Sequence, residues 1–244
     1  RQQALLSFLL KRVTGIIANS RGTKEAFERA GFSAVLAAPN AVDLTQFSVP
    51  LLTDRKMFGL PLGRIAMYVG HLYGWKGVDT VIAAARMASQ TDLFFVFVGG
   101  TEEDVARYRA ETKEMPNVLF LGHRIRQDIP QLMAHASVLL LPNVPVSQES
   151  VAYTSPLKLF EYMASGIPIV ASNLPSLREV LHEQNSILVQ PANPKALLEG
   201  IMIALRPEAQ ARSLRAKEEV KQYTWDERAK KILHFMNMYV RNHR

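Results

Sequence analysis

Six short β-rich runs, each followed by a stretch of helical periodicity, predict an α/β protein with a Rossmann-like, doubly wound parallel sheet. The runs are RIAMYV (64–69), LFFVFV (93–98), NVLFL (117–121), SVLLL (137–141), IPIVA (167–171) and ILV (187–189). Length supports this: 244 residues suit one α/β domain with a smaller piece attached. Composition does too. With 48% hydrophobic and 21% charged residues the chain can bury a sizeable core, which excludes a disordered, collagen-like or coiled-coil chain. No apolar run approaches the roughly 18 residues that a membrane span needs.

Taken in order, residues 2–12 read as a helix, 13–19 as a strand, and 20–30 as a helix capped by Ser20 and closed by Gly31. Residues 34–39 read as another strand. Residues 47–62 hold Pro50 and Pro61 and no clear period, and read as a linker or hinge. After it the strands named above alternate with helices at 78–88, 102–113, 129–135, 156–165 and 175–182, with a polar loop over 143–154. Three further helices are expected at 192–205, 207–222 and 225–241. Met67, Met87 and Met163 read as core fillers, and Trp225 as packing for the last helix.

Lys and Arg exceed Asp and Glu by 29 to 22, a net charge of +7. That suits an anionic partner or a solubilising surface equally. The positive charge is dispersed and not interleaved with aromatics, so a nucleic-acid partner is not expected. Cysteine is absent, which excludes disulfides and thiolate chemistry, and the six histidines show no metal-ligand spacing. No signal-peptide pattern is present. The chain starts at Arg1, and an N-terminal portion of the protein is expected to precede it.

Ligands of doubly wound sheets bind at the carboxyl ends of the strands, so the loops there carry the candidate chemistry. Gly70-His71-Leu72-Tyr73-Gly74-Trp75-Lys76-Gly77 follows a strand and opens a helix. Its glycines permit close backbone approach, and Lys76 beside a helix start favours phosphate. It matches neither G-x-G-x-x-G nor a Walker A loop. The second candidate starts at Ser155-Pro156-Leu157-Lys158 and runs through Glu161. Ser155 is a suitable N-cap and Pro156 a suitable first helical residue, leaving the amides of Leu157 and Lys158 as free donors. Leu157, Phe160 and Ala164 mark the apolar face, with Glu161 at its edge. A half-buried carboxylate there needs a partner: Lys158 by an i,i+3 pair, or a ligand hydroxyl. The rise of about 7 Å from the helix start to Glu161 matches the reach from a diphosphate to an attached ribose.

Together these segments resemble the family 4 glycosyltransferases of the GT-B fold. The resemblance rests on IIANS (16–20), APNAVDLTQF (38–47), YVGHLYGWKG (68–77), NVLFLG (117–122), ASVLLLPN (136–143) and LKLFEYMASGIPIVAS (157–172). LPSLREVL (174–181) and YTWDERAKKIL (223–233) also fit. It implies a remnant of the acceptor domain over 1–46, a donor-binding Rossmann-like domain over 47–222, and a helix over 223–244 crossing back. It further implies retaining, metal-independent transfer of a hexosyl group from a nucleoside-diphosphate sugar with a UDP, GDP or ADP leaving group, in polysaccharide or glycolipid synthesis. No cofactor is implied.

By the same resemblance Lys76 contacts the donor diphosphate, Gly70 and Gly77 shape its loop, and Glu161 holds the ribose as the second glutamate of an E-x7-E motif. Two positions depart from the pattern. His71 stands where an arginine is usual, and Tyr153 stands where the first motif glutamate belongs, with Glu149 a nearby substitute. Lys158 is then a candidate for the cation that His71 does not supply, and Arg124 a candidate near the base or phosphates. The expected partners are the donor and the acceptor domain of the same protein. The basic, amphipathic last helix is expected to dock on that domain or touch a membrane surface, giving a cytoplasmic location at the inner face. A GT-B-like nucleotide-sugar epimerase and a non-catalytic nucleotide-binding protein on a decayed scaffold are the rivals.

Overall fold

The computed structural model describes residues 13–48, 53–147 and 151–241, with side chains to Met238. The helix expected over 2–12, Pro50 and Glu149 lie outside the described residues. The chain opens with β1 (Ile16–Ala18), α1 (Arg21–Arg29) and β2 (Val35–Ala37), the two strands pairing in parallel. Ser20 caps α1 by accepting the Thr23 N–H at 3.1 Å.

A six-stranded sheet follows: β3 (Arg64–Val69), β4 (Leu93–Val98), β5 (Val118–Gly122), β6 (Val138–Leu141), β7 (Ile169–Ser172) and β8 (Ile187–Val189). All its pairings are parallel, in the order β5-β4-β3-β6-β7-β8. Its helices are α2 (Val78–Met87), α3 (Glu102–Glu111), α4 (Asp128–Met133), α5 (Leu157–Ser165), α6 (Pro175–Arg178) and α7 (Pro194–Ala204), followed by α8 (Gln210–Glu219) and α9 (Trp225–Arg241). Chain order reverses between β3 and β6, and this switch point is where an open sheet of this kind leaves a crevice for a ligand.

The period of two along β3 divides the core. Ile65, Met67 and Val69 face one layer with Leu159, Phe160 and Met163 of α5. Ala66 and Tyr68 face the other with Val81 of α2 and Ile201 of α7. Each such large apolar side chain contributes about 1.5–3 kcal/mol by leaving water.

Several local expectations need correcting. Residues 47–62 are more than a linker: Asp54 caps a 3-10 turn over Arg55–Phe58, closed by Gly59 at φ 67°, and Phe58 and Leu60 are buried. The helix expected over 207–222 is three pieces, with 3-10 turns at Pro207–Ala209 and Val220–Tyr223 on either side of α8. The helix expected to reach 182 stops at Arg178. Met87 is 54% exposed and fills no core, and Trp225 is 41% exposed with Arg228 5.9 Å from its ring centroid.

The first and last segments meet, with the Phe235 ring packed against Gly15. The Val42 N–H donates to the Tyr223 carbonyl at 2.9 Å, Val42 bridges Thr224, and Arg228 Nε donates to the Pro39 carbonyl at 3.0 Å.

Candidate functional site

The loops after β3 and β6 flank the switch point and touch. Gly77 sits at φ 80°, and a Cβ there would lie 1.8 Å from the Pro142 carbonyl oxygen. The Val144 N–H donates to the Trp75 carbonyl at 3.0 Å. Only glycine allows this approach, and it holds the 3-10 turn Gly74–Lys76 against the end of β6. Gly70, at φ 138°, turns the chain out of β3 and lies against Gly99 at the end of β4.

Lys76 ends that turn half-buried, its Nζ 3.7 Å from the centroid of the Trp75 ring. Burial pushes its amine down to about 8. His71 is exposed and stacked on Tyr73 with centroids 5.0 Å apart, while its carbonyl accepts the Tyr68 hydroxyl at 2.5 Å.

Across the crevice stands α5. Pro156, with extended backbone, is its cap residue, so Leu157 is the first helical residue. Ser155 does not cap the helix. Its hydroxyl instead accepts the Asn40 N–H at 3.0 Å and its carbonyl accepts Asn40 Nδ2 at 2.6 Å, tying the start of α5 to the chain leaving β2. Leu157 is 47% exposed and lies off the apolar face, which Leu159, Phe160, Met163 and Ala164 form.

Lys158 takes the inward position and is only 9% exposed. Its Nζ has no hydrogen-bond partner among the described residues and lies 3.8 Å from the centroid of the Tyr68 ring. The i,i+3 pair with Glu161, one of the two alternatives the sequence left open, is therefore not formed. Burial, and secondarily the Lys76 charge, pushes the Lys158 amine well below the usual lysine range against the opposing pull of Glu161. Glu161 is half-buried, and burial pushes its carboxyl up while Arg126 and Lys158 oppose the shift.

Arg124 lies half-buried in the loop after β5, its Nε buried and unpartnered among the described residues. Asn143, at the end of β6, is fully buried with both amide atoms unpartnered among the described residues. Arg124, Asn143 and Lys158 come from three connections at the carboxyl edge of one sheet. Buried polar atoms are usually satisfied, so these three side chains make this edge the candidate ligand surface, although Arg55 Nε and Asn117 Oδ1 are likewise unpartnered elsewhere among the described residues. A groove of about 770 Å³ continues from the same edge, lined by His71, Thr101, Glu102, Arg109, Gly122 and His123.

Tyr68, Arg126 and Asn143 escaped the sequence analysis. Arg126 had a signal, since it lies two residues after Arg124 in the same RIRQD loop. Tyr68 and Asn143 had none beyond closing an apolar strand. Tyr153 is half-buried; the substitute for the first motif glutamate, Glu149, lies outside the described residues.

The family model described as glycosyl transferases group 1 matches residues 63–206, which is the six-stranded sheet with its helices. The chain belongs to this family. Among curated proteins, the chain is 27% identical over 210 residues to an uncharacterized glycosyltransferase of Methanocaldococcus jannaschii, covering 80% of this chain and 51% of that one. It is 26% identical over 230 residues to the phosphatidyl-myo-inositol mannosyltransferase of Mycolicibacterium smegmatis, covering 91% and 57%. The chain thus spans about half the length of the curated relatives it matches. Among solved structures it resembles Anabaena HepE in complex with UDP and glucose, with a TM-score of 0.79, 20% identity, and 93% of this chain against 64% of that chain. The glycosyl transferases group 1 assignment and these neighbours agree with the GT-B fold implied by the sequence.

Proposed function

We propose that this chain carries the nucleotide-sugar donor site of a GT-B glycosyltransferase. The observation that carries the proposal is the convergence of Lys76, Lys158 and Glu161 at the β3/β6 switch point, with Lys158 buried and lacking a hydrogen-bond partner among the described residues. Neighbouring HepE was solved with UDP and glucose, which supports the donor class.

In this proposal the diphosphate lies between Lys76 and the first turn of α5. The free amides of Leu157 and Lys158 and the positive end of the helix dipole face it. Glu161 accepts the ribose hydroxyls. Arg124 and Arg126 border the nucleoside, and the base enters the groove beside His71 and His123. As the bond from the anomeric carbon to the diphosphate oxygen breaks, the electron pair stays on the diphosphate. Lys76 and Lys158 stabilise the charge that gathers there. Gly70 and Gly77 keep the loop close enough for its backbone to reach the phosphates. Transfer with retention and without a bound metal ion is part of the proposal, as is a hexosyl group as the group moved.

The domain division follows. Residues 47–222 form the donor domain, 1–46 belong to the acceptor domain, and 223–244 cross back to it. The residues that hold the acceptor substrate then come from the rest of the protein, and the chain as given binds a nucleotide without transferring a sugar. Calorimetric titration with UDP, GDP and ADP, first without metal and then with magnesium, tests the site. Selective binding of one nucleotide supports it and fixes the base; no binding at millimolar concentration refutes it. Tyr153 in place of a carboxylate favours a second reading, a nucleotide-binding protein without transfer activity. Donor turnover by the full-length protein decides between them.

A further inference from the structure

Lys158 is an amine in a place with almost nothing to accept its protons. It is 9% exposed, its Nζ has no hydrogen-bond partner among the described residues, and it lies 3.8 Å from the centroid of the Tyr68 ring. An ammonium has three N–H donors, and here one ring face must serve all three. A buried charge without partners costs several kcal/mol, and an amine escapes that cost by giving up its proton.

The surrounding groups decide which form is held. From the β3–α2 loop, Lys76 repels a second positive charge. From β3, the Tyr68 hydroxyl donates its proton to the His71 carbonyl, and its oxygen makes no hydrogen bond to Lys158. On α5 itself, Tyr162 receives the Val69 N–H at 2.9 Å, and Glu161, together with the π face of Tyr68, favours the cation. Glu161 is shared with Arg126 of the β5–α4 loop, which also faces Asp43 ahead of the 3-10 turn Leu44–Phe47. α8 sends Lys217 to Gly166 at the far end of α5, and Tyr223 packs on Phe160. The balance lies against the charged form, which agrees with the direction in which burial moves this amine.

We propose that Lys158 rests uncharged on the face of Tyr68 and takes up a proton from solvent when an anionic diphosphate enters the switch-point crevice. This rests on the donor-site proposal and adds a proton linkage to it. The step is a protonation only: a buffer acid gives its proton to the lone pair of Nζ, and the new ammonium pairs with a phosphate oxygen. The second lysine is distinguishable, because Lys76, pushed only to about 8, already holds its proton at pH 7. The ligand therefore creates the cation that binds it, and an empty site stores no buried charge.

Proton uptake on binding makes affinity fall as pH rises, by up to about tenfold per pH unit for one proton. The test is calorimetric titration of the chain with UDP, GDP and ADP at pH 7 in PIPES, HEPES and imidazole buffers, whose ionisation enthalpies differ. The expected result is an observed enthalpy that changes with the buffer by about one proton taken up per nucleotide bound. Lys158→Met should lose that dependence and bind at least about tenfold more weakly. Binding with buffer-independent heats overturns the linkage and leaves the donor site standing. A dependence that persists in Lys158→Met also overturns it. Failure of all three nucleotides to bind overturns the donor site and the linkage with it. A measurement needing no variant is NMR of 13Cε-labelled lysine: one resonance should move from the uncharged to the charged position on adding nucleotide, and its staying at the charged position throughout refutes the proposal.

Discussion

The carboxylate of Glu179 accepts the backbone N–H of Gly22 at 3.0 Å, with its other oxygen on the N–H of Arg21 at 2.7 Å. One side chain from the end of α6 thus satisfies two free amides at the start of α1 and sits on the positive end of that helix. A Cβ at Gly22 would lie 2.2 Å from the Ala152 carbonyl oxygen, so the contact is close on both sides. Glu179→Ala should loosen α1 by about 1–2 kcal/mol. Hydrogen exchange over residues 21–29 should accelerate by roughly an order of magnitude while the six-stranded sheet keeps its protection; unchanged exchange would show that the contact holds nothing.

Gly77→Ala should destabilise the chain by about 2–4 kcal/mol. It combines a left-handed backbone, φ 80°, with a Cβ that meets the Pro142 carbonyl oxygen at 1.8 Å. Gly74→Ala, in the same loop, has open space around its Cβ and should cost far less. Urea unfolding of the two variants side by side checks the contrast, and equal midpoints would sink it.

Glu161→Ala separates ribose recognition from phosphate recognition. UDP should bind about tenfold more weakly, the equivalent of one hydrogen-bonded charged group, while inorganic pyrophosphate should lose clearly less, only through the missing support for the Lys158 cation. Lys76→Met should weaken both ligands. If Glu161→Ala weakens pyrophosphate equally, the carboxylate acts through Lys158 and not on the sugar.

The empty chain should become more stable as the solution turns alkaline. The folded-state value for Lys158 is lowered from 10.5, so between that lowered value and 10.5 the unfolded chain binds more protons than the folded one, and stability rises with pH. Lys76 acts in the same direction between about 8 and 10.5. Glu161 has the opposite sign: its carboxyl is raised from 4.5, so stability falls as pH rises through that acidic window. Thermal unfolding between pH 7.5 and 9.5 should therefore show a climbing midpoint. Lys158→Met should flatten the climb and add about 1–3 kcal/mol at pH 7, since an apolar chain of similar length fits where an amine lacked partners. A midpoint that falls over this range would contradict the sign.

The sheet was legible because its strands are short apolar runs cut by Gly or Pro, and LFFVFV before Gly99-Gly100 admits little else. The helix at 207–222 was not, because its breaks at Pro207 and Val220 leave the apolar period intact while the backbone tightens to 3-10 geometry. Ser155 shows the harder limit. By local rules it is an N-cap, yet its hydroxyl is claimed by Asn40, 115 residues away in sequence. The turn at Asp54 to Gly59 carried its own signals, a capping aspartate and a closing glycine, hidden by the prolines on either side. For the site, Lys76 and Glu161 were visible by type and position. The unsatisfied atoms of Lys158 and Asn143 were not, because burial without a partner is a property of the packed molecule.

Trp75 and Lys76 have an optical consequence. The chain holds two tryptophans, and one of them lies with the Lys76 ammonium 3.7 Å from its ring centroid and its carbonyl bonded across the crevice to Val144. A ligand that draws Lys76 towards phosphate removes a cation from that indole and changes its emission. Trp225, on the last helix, provides an internal reference for the same spectrum. On the donor-site proposal, tryptophan emission should therefore report occupancy without label or radioisotope.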